Sequence, residues 1–192
     1  MRTLALIPLL AAGLAQASAS GSYRAGIGCP ENPRCADVVT VAVDAPRGAV
    51  GAIFVAIAPT LGGEPAMPAG WFLPSGEIEV VGKPTAALTG PIGPFRQRYT
   101  IRGGVCAVAH AHGVTGDLGL FAGYGISPPQ IVQNMRRLER SVLDGDAATG
   151  DEIRAMLEKV RSMDPIGQSA AQDMIARGNF WKLATIRCGE RA

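Results

Sequence analysis

The sequence predicts an α+β protein: a β-sandwich or small-barrel body, a three-helix C-terminal appendage and a closing strand. Three observations carry this. Short β-branched and alternating segments separated by Gly- and Pro-rich turns run as far as about Ile126. Two helix-start signatures with 3.6-residue apolar periodicity follow. The last stretch, Phe180 to Cys188, then reads as a strand again. Segregated strands and helices define α+β rather than an alternating α/β fold.

The body begins at Asp37. Val39, Val41 and Val43 alternate with Val38, Thr40 and Ala42, a pattern that suits a pleated strand. Pro46-Arg47-Gly48 supplies a turn. Val50 to Ala58 is apolar at both parities, as expected of a central strand covered on both faces. A long Gly/Pro-rich connection, Pro59 to Pro74, holds Trp71 and Phe72. Glu77 to Val80 and Arg98 to Arg102 alternate between wet and dry faces. Val105 to Val114 is a further strand candidate.

The helices are announced by their caps. Ser127-Pro128-Pro129-Gln130 has the form of a capping box with proline at the first helical positions. Ile131, Met135, Leu138 and Val142 then fall on one helical face. Thr149-Gly150-Asp151-Glu152 is a second box, followed by the face of Ile153, Met156, Leu157 and Val160. A third helix starts at Asp164-Pro165 and stops near Gly178. The expected organisation is a leader over 1–19, a β-rich body over 20–126, a helical subdomain over 127–179, and a closing strand and tail over 180–192.

The leader is a secretory signal. Arg2 precedes an uncharged run from Leu4 to Leu14, and Ala15 to Ala19 offers overlapping A-x-A cleavage sites. The run is shorter than the roughly 20 residues a membrane helix needs. Cleavage before Ser20 is expected, with Ser18 as second choice, giving a periplasmic or secreted protein with no membrane span in the mature chain. All four cysteines, Cys29, Cys35, Cys106 and Cys188, follow the leader. An even count in an oxidising compartment predicts two disulfides. The turn-forming residues between Cys29 and Cys35 suggest one bridge there, which leaves Cys106 on a body strand for Cys188 on the closing strand.

Composition narrows the function classes. The formal net charge of +2 gives no basis for nucleic-acid binding. Neither a G-x-S-x-G elbow nor a P-loop occurs in the sequence, and no cofactor is implied. His110 and His112, the two histidines of the chain, would share a strand face with Cys106. They are candidate zinc or copper ligands, although a structural zinc needs about four. A Cys106–His110 nucleophilic pair would need a sharp bend to bring the imidazole within reach. The acids around Asp144, Asp146, Asp151 and Glu152 miss calcium-loop spacing, and Asp151 and Glu152 suit a helix N-terminus instead.

Three surface candidates remain. Arg136, Arg137 and Arg140 form a basic cluster on the first C-terminal helix, a solvated face or a contact for an acidic partner. Trp71 and Phe72 are a binding hot spot if exposed and core plugs if buried, with the core reading ahead. Glu77 and Glu79 project together and offer a carboxylate pair to an envelope hydrolase. The reading preferred over both the metal protein and the hydrolase is a non-catalytic binding or assembly protein of the cell envelope, with an envelope protein as partner.

Overall fold

The structure is a computed structural model that describes residues 20–26, 35–43, 45–61, 64–65, 70–80, 83–144 and 149–189. The predicted leader, Cys29, Asp146 and the last three residues of the tail lie outside the described residues.

Strand order explains the body. β1 (Ser20–Arg24), β2 (Ala36–Ala42) and β8 (Arg96–Arg102) form a three-stranded antiparallel sheet in the order β1-β2-β8. Facing it is a larger sheet centred on β3 (Val50–Leu61). That strand carries two-residue β4 (Glu64–Pro65), β5 (Gly70–Phe72) and, through β5, β6 (Ile78–Glu79), along with β7 (Leu88–Pro91). Its other edge pairs with β9 (Gly116–Ile126), which pairs in turn with β10 (Phe180–Cys188). Four helices complete the chain: α1 (Gly104–Ala111), α2 (Pro129–Leu143), α3 (Gly150–Ser162) and α4 (Pro165–Arg177). The fold is α+β, a sandwich-like body with helices after it and a strand that closes it.

The two faces of β3 bury different cores, as its unbroken apolar run requires. Ile53, Val55 and Ile57 face the small sheet and meet Val39, Val41, Tyr99 and Ile101. Phe54, Ala56 and Ala58 face the opposite way, onto Ala170, Ala171 and Met174 of α4. Each fully buried large side chain of this set contributes roughly 1.5–3 kcal/mol. Tyr99 is 4% exposed. Its hydroxyl donates to the Leu73 carbonyl, and burial pushes its phenol up to about 12.

Strand β9 escaped the sequence reading because it is rich in glycine. One parity supplies Leu118, Leu120, Ala122 and Tyr124 to the sandwich core. The other carries Gly119, Phe121, Gly123 and Gly125. These glycines are the seat of α4: a Cβ on Gly125 would stand 1.8 Å from the Ala170 carbonyl oxygen. One on Gly123 would stand 2.6 Å from both the Asn179 oxygen and the Met174 sulfur. Here glycine admits a neighbouring backbone instead of breaking the strand. Helix α4 is thus a third layer of the body, and it is α2 and α3 that stand outward.

Two further expectations are corrected. Val105 to Val114 is not a strand; its first seven residues lie in helix α1. Gly103 and Gly104, at φ of 74° and 81°, turn the chain sharply at the end of β8. The alternating Val and Ala of this segment serve a helix equally well, with Val105 and Ala109 buried one turn apart. The helix closes in a Schellman motif: Val114 N–H donates to Ala109 and Gly113 N–H to His110.

The first capping box does not form. Ser127 is 2% exposed and its hydroxyl pairs with that of Ser169 at 2.7 Å, so α2 starts beyond Pro128 without a side-chain cap. The second box forms as read. Thr149 N–H donates to Glu152 at 2.7 Å and Glu152 N–H reaches Thr149 Oγ1 at 3.4 Å. The donated backbone bond from Thr149, and then its hydroxyl, hold the Glu152 carboxyl below its usual range. Asp164 caps α4 through Gly167 N–H at 3.0 Å, and Gly178 ends that helix in the left-handed region.

The glycine seat gives a direct test. Gly125→Ala must push α4 off the sheet and is expected to cost about 3 kcal/mol in urea unfolding, as overpacked cores do. Gly150→Ala, in open space at the start of α3, should change stability by less than about 0.5 kcal/mol. Equal effects of the two substitutions would show that the close contact is not what seats the helix.

Candidate functional site

Asp37 is the buried acid around which one end of the sandwich is arranged. It occupies the inward parity of β2, in line with Val39 and Val41, and is 3% exposed. Its Oδ1 accepts from Gly26 N–H at 2.7 Å. Its Oδ2 accepts from the Tyr23 hydroxyl at 2.8 Å and from Val105 N–H, at the start of α1, at 2.8 Å. One carboxylate therefore joins β1, β2 and the N-terminus of α1, where a negative charge is stabilised. Burial, reinforced by the bond to Asp37, pushes the Tyr23 phenol well above its ordinary value.

Beside it, Cys106 and Cys188 are disulfide-bonded, with an S–S distance of 2.01 Å and Cα atoms 5.2 Å apart. The pairing is the predicted one, but Cys106 sits on α1 rather than on a body strand. Cys29, the partner predicted for Cys35, lies outside the described residues. His110 is one turn along α1 from Cys106, on the same face. Its Nε2 lies 2.9 Å from the Gly189 carbonyl oxygen. That oxygen only accepts, so Nε2 carries the proton. A cleft of about 310 Å³ opens here, lined by Tyr23, Asp37, Gly104, Cys106, His110 and Cys188.

The chemistry of these groups is spent on structure. Both Asp37 oxygens are engaged by donors, Cys106 is oxidised and His110 tethers the segment after β10. The strand geometry behind a His110–His112 chelate does not hold, because i and i+2 point about 200° apart on a helix. His112 is instead the exposed C-cap of α1. Among the described residues no three His, Cys, Asp or Glu side chains are grouped to hold a metal ion.

The other candidates are dispersed. Trp71 is 6% exposed and Phe72 fully buried, on opposite faces of β5. Trp71 packs against Phe54 and Phe180, at ring distances of 6.2 and 5.5 Å, and Phe72 against Tyr99. Both aromatics are core, so neither offers an exposed hot spot. Glu77 and Glu79 accept from neighbouring hydroxyls, Ser75 at 3.3 Å and Thr85 at 2.5 Å. Arg136, Arg137 and Arg140 are exposed on α2, and Arg136 shares a cleft of about 390 Å³ with Arg47. Asp37 and Tyr23 are what the sequence reading missed. The signal was present: an acid at the same parity as three core valines must find buried donors.

Comparisons with protein-family models, with curated proteins and with solved structures find no match for this chain.

Two substitutions separate the contributions at this end of the sandwich. Asp37→Ala leaves three donors without their acceptor and should cost about 3–5 kcal/mol in denaturant unfolding. Cys188→Ser opens a closure spanning 82 residues and should cost about 4–5 kcal/mol by loop entropy. A loss under about 1 kcal/mol at either position would contradict the role given to it here.

Proposed function

We propose that this is a periplasmic or secreted protein of the cell envelope that acts without catalysis, by binding or assembling with another envelope protein. The observation that carries the reading is the hairpin of α2 and α3. Of these two helices, only Val132 and Val160 are buried among the described residues. Leu138, Leu143 and Met156 remain 40%, 56% and 49% exposed, with Met163 just beyond α3 at 51%. Apolar side chains left open on a projecting element, near the arginines of α2, have the composition of a protein interface: an apolar centre and a charged rim. The disulfide and the signal-like leader support an oxidising compartment.

Photo-crosslinking in the intact envelope tests this. A crosslinking residue at Leu138 or Met156 should give the same discrete adduct, and one at Thr185 on β10 should not. The intact mass of the exported chain should begin at Ser20. Absence of adducts at both hairpin positions, or a chain retaining Met1 to Leu14, would remove the reading.

A further inference from the structure

The outer face of the small sheet carries charge that nothing in the fold explains. Register alone determines its composition. Residues of β2 at the outward parity, Ala36, Val38, Thr40 and Ala42, stand opposite Arg102, Thr100, Arg98 and Arg96 of β8. On the other side, Val38, Thr40 and Ala42 stand opposite Arg24, Ser22 and Ser20 of β1. One sheet face therefore gathers four arginines and four hydroxyls, with no carboxylate among the described strand residues that form it. All four arginines are exposed, and none joins an ion pair or hydrogen bond through its side chain among the described residues.

This arrangement is unfavourable for the isolated fold. Arg96 and Arg98 are two residues apart on the same strand face, about 7 Å. Like charges so placed repel, and an anion lying across them relieves that repulsion. A shallow hollow of about 230 Å³ lies beside Arg96, floored by Thr40 and Ala42 and edged by Ser20 and Ser22. If export cleaves before Ser20, the new α-ammonium joins this edge and adds a fifth positive charge.

We propose that this face binds a linear polysaccharide bearing carboxylates. Arginine forks pair with carboxylates in two parallel bonds, and serine and threonine hydroxyls suit the hydroxyls of a sugar chain. β8 alone presents about 24 Å of extended surface, a length for a strand of polymer and not for a small anion. Single-stranded nucleic acid is disfavoured because it relies on aromatic platforms, and both tyrosines of this sheet, Tyr23 and Tyr99, point inward to Asp37 and the core. A bilayer surface calls for large apolar side chains that insert, and this face offers only half-buried alanine and valine. A protein partner would need a large apolar anchor; the nearest, Phe95, is 54% exposed just before β8, but it stands opposite Val43 at the other parity, off this face. The binding face is separate from the α2–α3 hairpin, so it stands or falls independently of the assembly function.

The test uses the oxidised, exported chain and immobilised polygalacturonate, with neutral dextran as control. Retention on polygalacturonate alone, weakening as salt rises, is expected. Arg96→Gln/Arg98→Gln and, separately, Arg24→Gln/Arg102→Gln should each weaken it at least about tenfold with unchanged melting temperature. Arg136→Gln/Arg137→Gln/Arg140→Gln, on the other basic cluster, should bind as the parent does. The proposal is overturned by no retention, by equal retention on dextran, or by sheet variants that bind normally. It is equally overturned if the helix variant loses binding, or if oligothymidylate or phosphatidylglycerol vesicles displace the protein more effectively, charge for charge, than free polygalacturonate.

Discussion

The contact between a glycine-faced strand and a small-faced helix is the constraint on which the rest of this structure depends. β9 lies between β3 and β10, so its two faces decide what both cores can contain. Its large side chains fill the sandwich. Its glycines let α4 approach until backbone almost touches backbone, and Ala170 and Ala171 answer from the helix. A sheet covered on both faces has to be apolar at both parities. That is why β3 reads as an unbroken apolar run, and why Phe54, Trp71, Phe121 and Phe180 gather on the helix side, with Phe121 and Phe180 stacked 5.5 Å apart. These four aromatics fill the space beside α4 that the small residues leave.

The second constraint is polar. A sandwich end must be closed, and this one is closed by a carboxylate that draws a strand, a loop and a helix N-terminus to one point. Tyr23 and Gly26 are near neighbours 14 and 11 residues before Asp37, and Val105 lies 68 residues after it; Asp37 gives each of them its hydrogen-bond partner. Because the group is buried, losing it exposes the protein to the full desolvation cost of three donors at once. The adjacent disulfide reinforces the same end by covalent means, joining α1 to β10.

Much of this was legible in the residues, and the failures have physical causes. β2, β3, β8 and β10 were visible because β-branched alternation and doubled apolar parity have few other solutions. The starts of α3 and α4 were visible because their caps form within a few residues. α1 was misread because Val-Cys-Ala-Val-Ala-His-Ala satisfies a period of two and a period of 3.6 alike, and the choice was made by two glycines that turn the chain and by a distant carboxylate. β9 was missed because glycine normally argues against a strand, whereas here tertiary contact demands it. The cap expected from Ser127 was lost to a partner 42 residues away. The candidate sites fared unevenly: Cys106 pairs with Cys188 as elimination suggested, although from a helix and not the expected strand, while the fate of Trp71, Phe72 and His112 turned on which way each element faced. The basic face of the small sheet could not be seen at all without register, since its arginines come from segments some 70 residues apart.

The position of β10 has a consequence for the order of events in biosynthesis. This strand supplies the last rung of the larger sheet, and Cys188 near its end supplies one half of the bridge to α1. Neither can be made until residues 180–188 have left the ribosome and, if the chain is exported, crossed the membrane. Everything before them must wait as an open sheet with an unpaired edge on β9 and an unoxidised thiol on α1. A chain stopped before Phe180 would lack both the strand and the sulfur. Closure of this body therefore waits on β10, and a product that stopped before that strand would be left unsealed.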